Sequence, residues 1–234
     1  MKNRRSLTFR LKADGTLVTP IDFQVEAYLL EQIGQAYPDH AILTEESGIR
    51  GRVSDWTWVI DPIDGTRAYA TGLPIWGVSV GLLFKAAPYA GGFYMPVTGE
   101  MVFGDGRRAW YNGRRLALPV PANLESPTAF IAAPSDFHRY FTLDFPRLRS
   151  FGSTAAHLSY VARGQALAAV TRQVSLWDLA GLLPIFQAVG VEVAYLSGRP
   201  FRIEEVLDGK KLPEALVAAQ PAVMDAIRKM IHPK

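Results

Sequence analysis

The sequence predicts a mixed α/β protein in two lobes, and three observations carry that prediction. A helix with clear start signals lies near the N-terminus. A strand-rich stretch follows and ends in a hairpin. A proline-rich segment, Pro119 to Pro127, then gives way to alternating strands and helices, and is read as the boundary between the lobes.

Taken in order, Thr19-Pro20-Ile21-Asp22 supplies an N-cap threonine, proline at the first helical position and an acid three residues on. Val25, Tyr28, Leu29 and Ile33 recur at helical spacing, and the pattern ends near Tyr37-Pro38-Asp39. Ala41 to Thr44 reads as a buried strand opening into Glu45-Glu46-Ser47-Gly48. Trp56 to Ile60 reads as a second, stopped by Asp61-Pro62-Ile63-Asp64-Gly65-Thr66. Val78 to Phe84, Ala90 to Tyr94 and Met101 to Phe103 are strands between turn residues. Asn112-Gly113, between Ala109-Trp110-Tyr111 and Leu116-Ala117-Leu118, signals a hairpin. Beyond the boundary the pattern gives a strand at Ala129 to Ala132, a helix at Ser153 to Arg163 and a strand at Ala166 to Val170. A helix starting near Asp178 and another at Ala222 to Ile231 complete the chain.

Composition closes several routes. The chain has 234 residues, 49% hydrophobic and 20% charged, enough to bury a core. It has no cysteine, which excludes a disulfide framework, a thiolate zinc site and a cysteine nucleophile. A formal charge of +3 is too small an excess to point to nucleic acid. The longest uncharged run, Ala68 to Phe84, contains glycines and a proline and falls short of the ~18 apolar residues of a membrane helix. Polar Lys12 to Thr16 stands where a signal peptide carries its apolar core. The expectation is a soluble, cytoplasmic protein without nucleic-acid or membrane partners.

Four acids stand where apolar runs give way to turns: Glu45, Asp61, Asp64 and Asp178. Proline and glycine around Asp61 and Asp64 let that loop curl, aiming both carboxylates and the Ile63 carbonyl at one point. Hard cations such as Mg²⁺ take such oxygen donors. Ordinary readings stand beside this one. Asp-Pro-x-Asp-Gly-Thr is good turn chemistry, Asp178 after Trp177 suits a helix N-cap, and Asp22 suits a capping box. The recurrence of acids at strand ends, where α/β proteins place ligands, favours a site.

These segments resemble the inositol monophosphatase family. Trp58-Val59-Ile60-Asp61-Pro62-Ile63-Asp64-Gly65-Thr66 looks like its first signature, and Ser175-Leu176-Trp177-Asp178-Leu179-Ala180-Gly181 like its second. Glu45-Glu46 stands at its acidic pair. Lys12-Ala13-Asp14-Gly15, Asn112-Gly113 and Gly152-Ser153 agree as well. The resemblance implies a layered α-β-α-β-α sandwich of the inositol monophosphatase and fructose-1,6-bisphosphatase type. Its α+β lobe would cover residues 1–120 and its α/β lobe residues 121–234, in a homodimer. It implies Mg²⁺-dependent, lithium-sensitive hydrolysis of a small phosphorylated metabolite, with two or three ions held by Glu45, Asp61, the Ile63 carbonyl, Asp64 and Asp178. Glu45 and Thr66 would activate water, with Asp64 in the catalytic set and Asp22 in an outer shell. Gly65, Thr66, Ser153, Thr154 and Asp178 would contact substrate.

The chain departs from the family in places. It reaches the Lys12 motif without the family's first helix, so an apolar face is expected, covered by a neighbouring subunit or by a longer N-terminus. Thr171, His157 and Ala166-Leu167 replace residues that are often acidic or amide in the family, which argues against plain inositol recognition. The candidate substrates are inositol 1-phosphate, fructose 1,6-bisphosphate, histidinol phosphate and a 3′-phosphonucleotide. The four histidines show no metal spacing and read as ordinary surface or helix residues. Gly104-Asp105-Gly106 starts a dinucleotide-like fingerprint, but a hairpin follows it instead of a helix. Arg107, Arg108, Arg114 and Arg115 read as a guarded sheet edge. The competing readings are a catalytically silent metal-binding module and a nucleic-acid binder using that hairpin.

Overall fold

A computed structural model describes residues 8–117 and 122–234. The basic N-terminus up to residue 7, Leu118 and the start of the proline-rich boundary at 119–121 lie outside the described residues.

Strands β1 (Arg10–Leu11) and β2 (Leu17–Val18) form a short hairpin. Helix α1 (Pro20–Ala36) opens as expected, with the Asp22 carboxylate accepting from the Thr19 N–H at 2.8 Å and from its hydroxyl at 2.6 Å. Strands β3 (Ala41–Thr44), β4 (Gly48–Arg50) and β5 (Trp56–Asp64) lead to the short helix α2 (Thr66–Thr71). An antiparallel meander follows: β6 (Gly77–Phe84), β7 (Ala87–Met95), β8 (Glu100–Gly104), β9 (Ala109–Tyr111) and β10 (Arg114–Leu116). Asn112 and Gly113 both have positive φ, the backbone of a two-residue hairpin turn. Together these strands make an eight-stranded sheet in the order β10-β9-β8-β7-β6-β5-β3-β4. The edge strand β10 carries exposed Arg114 and Arg115, which matches a guarded edge.

The remaining chain gives β11 (Ile131–Ala132), α3 (Phe137–Tyr140), β12 (Phe141–Leu143), β13 (Leu148–Arg149) and α4 (Thr154–Ala162). Then come β14 (Ala168–Thr171), α5 (Trp177–Ala180), α6 (Leu183–Val189), β15 (Glu192–Tyr195), β16 (Leu216–Ala219), α7 (Pro221–Lys229) and β17 (Ile231–Pro233). A second sheet runs β13-β11-β14-β16-β15. The single helix expected from Asp178 is two, α5 and α6. Pro184 has no N–H for the Ala180 carbonyl and its ring crowds that turn, so the helix breaks and restarts.

The layers follow from alternation along the strands. In β14 and β16, Ala169, Leu216 and Ala218 face the main core, while Ala168, Val170, Val217 and Ala219 face α7 and a second cluster with Ile131 and Ile227. The main core packs α4, α5 and α6 between the two sheets through Leu158, Leu179, Ile185, Val59 and Leu83. Helix α1 lies on the outer face of the large sheet, where Ile33 meets Ile42 and Ile60. The result is the expected α-β-α-β-α stack. Beyond α1, the outer face of β6–β8 leaves an apolar groove of about 540 Å³, lined by Trp58, Val80, Leu82, Tyr94, Met101 and Phe103.

Candidate active site

The site starts from an irregularity in β5. Side chains alternate along a strand, so acids three positions apart would point to opposite faces. Between Asp61 and Asp64, however, three steps on β5 are matched by two on β6: Asp61 pairs with Ser79 and Asp64 with Gly77. The extra residue is a bulge, and it returns Asp64 to the face of Asp61. Pro62 sits there because a bulge tolerates a residue without an N–H. The strand therefore continues to Asp64, four residues past the expected stop at Ile60. The Ile63 N–H donates to the Asp61 carboxylate at 2.9 Å, pinning the curl.

Gly65 follows with φ +90°, and a Cβ there would stand 3.0 Å from the Gly152 carbonyl oxygen and the Ser153 Cβ. Glycine thus lets the end of β5 approach the start of α4. Across that contact, Ser153 donates its hydroxyl to Asp64, and the Ala155 N–H donates to the same oxygen at 3.1 Å. Asp178 arrives on α5, whose close packing on the sheet depends on small residues: a Cβ on Gly81 would lie 2.6 Å from Ala180. Helix α5 begins at Trp177, so Asp178 lies in its first turn and is not the N-cap; its carboxylate accepts from the Ser175 N–H at 2.6 Å.

Oxygens of Asp61, Asp64 and Asp178 lie within 4.8 Å of one another. Asp61 and Asp64 are each 2% exposed. Burial, with Glu45, Asp64 and Asp178 nearby, pushes the Asp61 carboxyl well above its ordinary range. Asp64 is pushed up to about 6, first by burial, against the opposing hydrogen bonds from Ser153 and Ala155. Burial and then Asp64 push Asp178 up as well. A cluster of hard oxygen donors that repel one another is the environment a divalent cation reverses, since its charge stabilises each ionised carboxylate. These residues fit a metal.

Glu45 lines the same cavity of about 280 Å³ but stands outside this trio. Its carboxylate accepts from the Lys12 ammonium at 2.8 Å, and Glu46 accepts from it at 2.7 Å. Thr66 donates its hydroxyl to the Ile63 carbonyl at 3.0 Å and reaches the Asp22 carboxylate at 3.3 Å, which ties Asp22 to the loop from behind. Gly65, Thr66, Ser153 and Thr154 all line the cavity. Sequence reasoning missed two features. Lys12 had only a place in a motif, with no signal that it would pair with Glu45. His157 is a helix residue, as expected, but it is 3% exposed and lines the cavity.

Comparison with known proteins bears on this arrangement. Residues 2–230 match the inositol monophosphatase family. The chain is 31% identical over 212 residues to the fructose-1,6-bisphosphatase/inositol-1-monophosphatase of Aquifex aeolicus, covering 86% of this chain and 80% of that protein. It is 32% identical to the Nus factor SuhB of Pasteurella multocida, covering 99% and 88%. Among solved structures, the inositol monophosphatase of Thermotoga maritima superposes with a TM-score of 0.82 at 25% identity, covering 97% of this chain and 87% of that one. The match spans nearly the whole chain and includes both acidic signatures, and on these grounds the chain belongs to the inositol monophosphatase family of phosphoric monoester hydrolases.

Proposed function

We propose that the protein hydrolyses a small-molecule phosphate monoester of the inositol 1-phosphate type with Mg²⁺ as its metal. One observation carries this reading: three carboxylates, two buried and one half-buried, converge within 4.8 Å in a cavity that also presents the Gly65-Thr66 turn. In this reading Glu45, Asp61, the Ile63 carbonyl, Asp64 and Asp178 hold two or three ions. Mg²⁺ there offsets the charge of the phosphate dianion and lowers the pKa of water. The chain's own groups do the rest. Glu45, with the Thr66 hydroxyl, orients the attacking water and takes its proton. Asp22 accepts from Thr66 and fixes its rotamer. Ser153 holds Asp64 in place, and the Gly65 and Thr66 amides receive phosphate oxygens. The same reading includes a cytoplasmic homodimer inhibited by Li⁺.

The test is phosphate release from inositol 1-phosphate, fructose 1,6-bisphosphate, histidinol phosphate and a 3′-phosphonucleotide, with and without Mg²⁺ and with Li⁺ as control. The expected result is Mg²⁺-dependent, Li⁺-inhibited release from at least one of these esters. Absence of both release and calorimetric Mg²⁺ binding would overturn the reading.

A further inference from the structure

His157 is 97% removed from solvent, yet its ring is only half used. It sits in the second turn of α4, and its Nε2 accepts the Phe151 N–H at 2.9 Å. An acceptor Nε2 places the ring proton on Nδ1 in the neutral tautomer. Burial pushes the imidazole down to about 4, so the ring is neutral at any ordinary assay pH. Among the described residues, Nδ1 has no hydrogen-bond partner. Nδ1 is not sealed from solvent either, since the Thr171 hydroxyl is the one buried unpartnered side-chain atom among the described residues. An N–H that no protein group uses and that stays open in a cavity wall is free to donate to a bound molecule.

The surroundings say which acceptor. His157 lines the cavity of the three carboxylates. Its partner Phe151 stands between Ser150 and Gly152, both in the wall, and Thr154 is one helical turn before it on the same face. Pro134 and Ser135 complete this side, and the Ala133 N–H bonds the Arg149 carbonyl next to Ser150. This wall presents hydroxyls and one fixed N–H. The groups proposed to serve the phosphate lie elsewhere: Asp61, Asp64 and the Gly65-Thr66 turn at the end of β5, and Asp178 on α5.

We infer that His157 is a specificity-determining residue whose Nδ1–H donates to an oxygen on the alcohol portion of the substrate, selecting a hydroxylated, sugar- or polyol-like leaving group. This rests on the proposed phosphatase reading and adds the class of alcohol to it. It also locates recognition on a different element from Thr171, the buried strand residue where an acid was expected.

Two isosteres separate substrate contact from structural support. Gln places an acceptor where Nε2 stands and keeps the Phe151 bond while deleting the δ donor. Asn places an amide N–H where Nδ1 stands and gives up the Phe151 bond. Wild type, H157Q and H157N are compared on inositol 1-phosphate and on p-nitrophenyl phosphate, whose alcohol has no hydroxyl to read, with melting temperature measured for each. The expected result is that H157Q lowers kcat/KM on inositol 1-phosphate about tenfold more than on p-nitrophenyl phosphate, mainly through KM, at a near wild-type melting temperature. H157N restores that preference although it melts lower. An equal effect of H157Q on both substrates places the donor on the phosphate and overturns the inference. So does a preference lost in H157N and kept in H157Q, which marks a purely structural histidine. Failure of the phosphatase reading appears separately, as a wild-type enzyme that turns over neither ester. In that case calorimetric binding of inositol 1-phosphate reads His157 directly, and equal or absent binding in wild type and H157Q overturns the inference.

Discussion

Replacing Asp64 by asparagine separates the electrostatics of the site from its architecture. The amide oxygen of the substituted side chain accepts from Ser153 and the Ala155 N–H as the carboxylate does, so the junction of β5 and α4 survives. What disappears is a buried charge. Asp64 titrates at about 6 in the folded chain, against 3.8 ordinarily. A carboxyl raised on folding binds more protons in the native than in the unfolded state between these values, so stability falls as pH rises from about 4 to 6 and stays reduced above. Two pH units amount to about 3 kcal/mol at most. Without divalent ions at pH 7.5, D64N should therefore melt higher than wild type by up to roughly 6–12 °C, given about 2–4 °C per kcal/mol at this chain length. Near pH 4 the difference should vanish. With excess Mg²⁺ the order should reverse, because the wild type gains binding free energy that the variant lacks a ligand to capture. Phosphatase activity in D64N should fall by at least about a thousandfold. The assay is differential scanning calorimetry at two pH values with EDTA or Mg²⁺, alongside phosphate release. A metal-free D64N that melts below wild type at pH 7.5, or one that retains turnover, would refute the account of this cluster.

Three further substitutions probe the scaffold. Lys12→Met leaves Glu46, already pushed up to about 7 mainly by burial, without its cation. In the folded chain Glu46 is ionised chiefly above about pH 7, so the attraction to Lys12 that the variant loses is larger there, and it should lose about 1 kcal/mol at pH 8 and less at pH 6, read as melting temperature; equal losses would contradict this. Gly81→Ala drives a methyl to within 2.6 Å of Ala180 and should cost about 1–3 kcal/mol while lowering kcat, because α5 carries Asp178. A variant with wild-type kcat would show that α5 does not need this close approach. Thr171→Val removes a buried hydroxyl that has no partner among the described residues and should be neutral or stabilising by up to about 1 kcal/mol in urea titration.

Much of this site was legible because its parts are local. Thr19-Pro20 announced α1, Asn112-Gly113 the last hairpin, and the Asp-Pro-Ile-Asp-Gly-Thr run the place where the acids gather. The bulge was not legible. Proline and glycine after an apolar run are the signs of a strand ending, and only pairing with Ser79 and Gly77 shows that β5 continues with one residue set aside. The break between α5 and α6 was missed for a related reason, since an apolar pattern continues across Pro184 while the hydrogen bonds do not. The pairing of Lys12 with Glu45 and the half-used ring of His157 depend on distant segments meeting. Periodicity carries no record of such contacts.

The carboxylate cluster that could hold a metal draws its members from opposite halves of the chain, Asp61 and Asp64 from one sheet and Asp178 from a helix between the two sheets. An unfolded or half-folded molecule therefore has no assembled cluster to offer, and almost all of the binding free energy of a cation accrues to the native state. Proteases act on the open state, whose population that free energy sets. If the cluster holds divalent ions as proposed, the lifetime of the protein against proteolysis would follow their supply, and a chain made in ion-poor conditions would be cleared sooner than the same chain made in ion-rich ones.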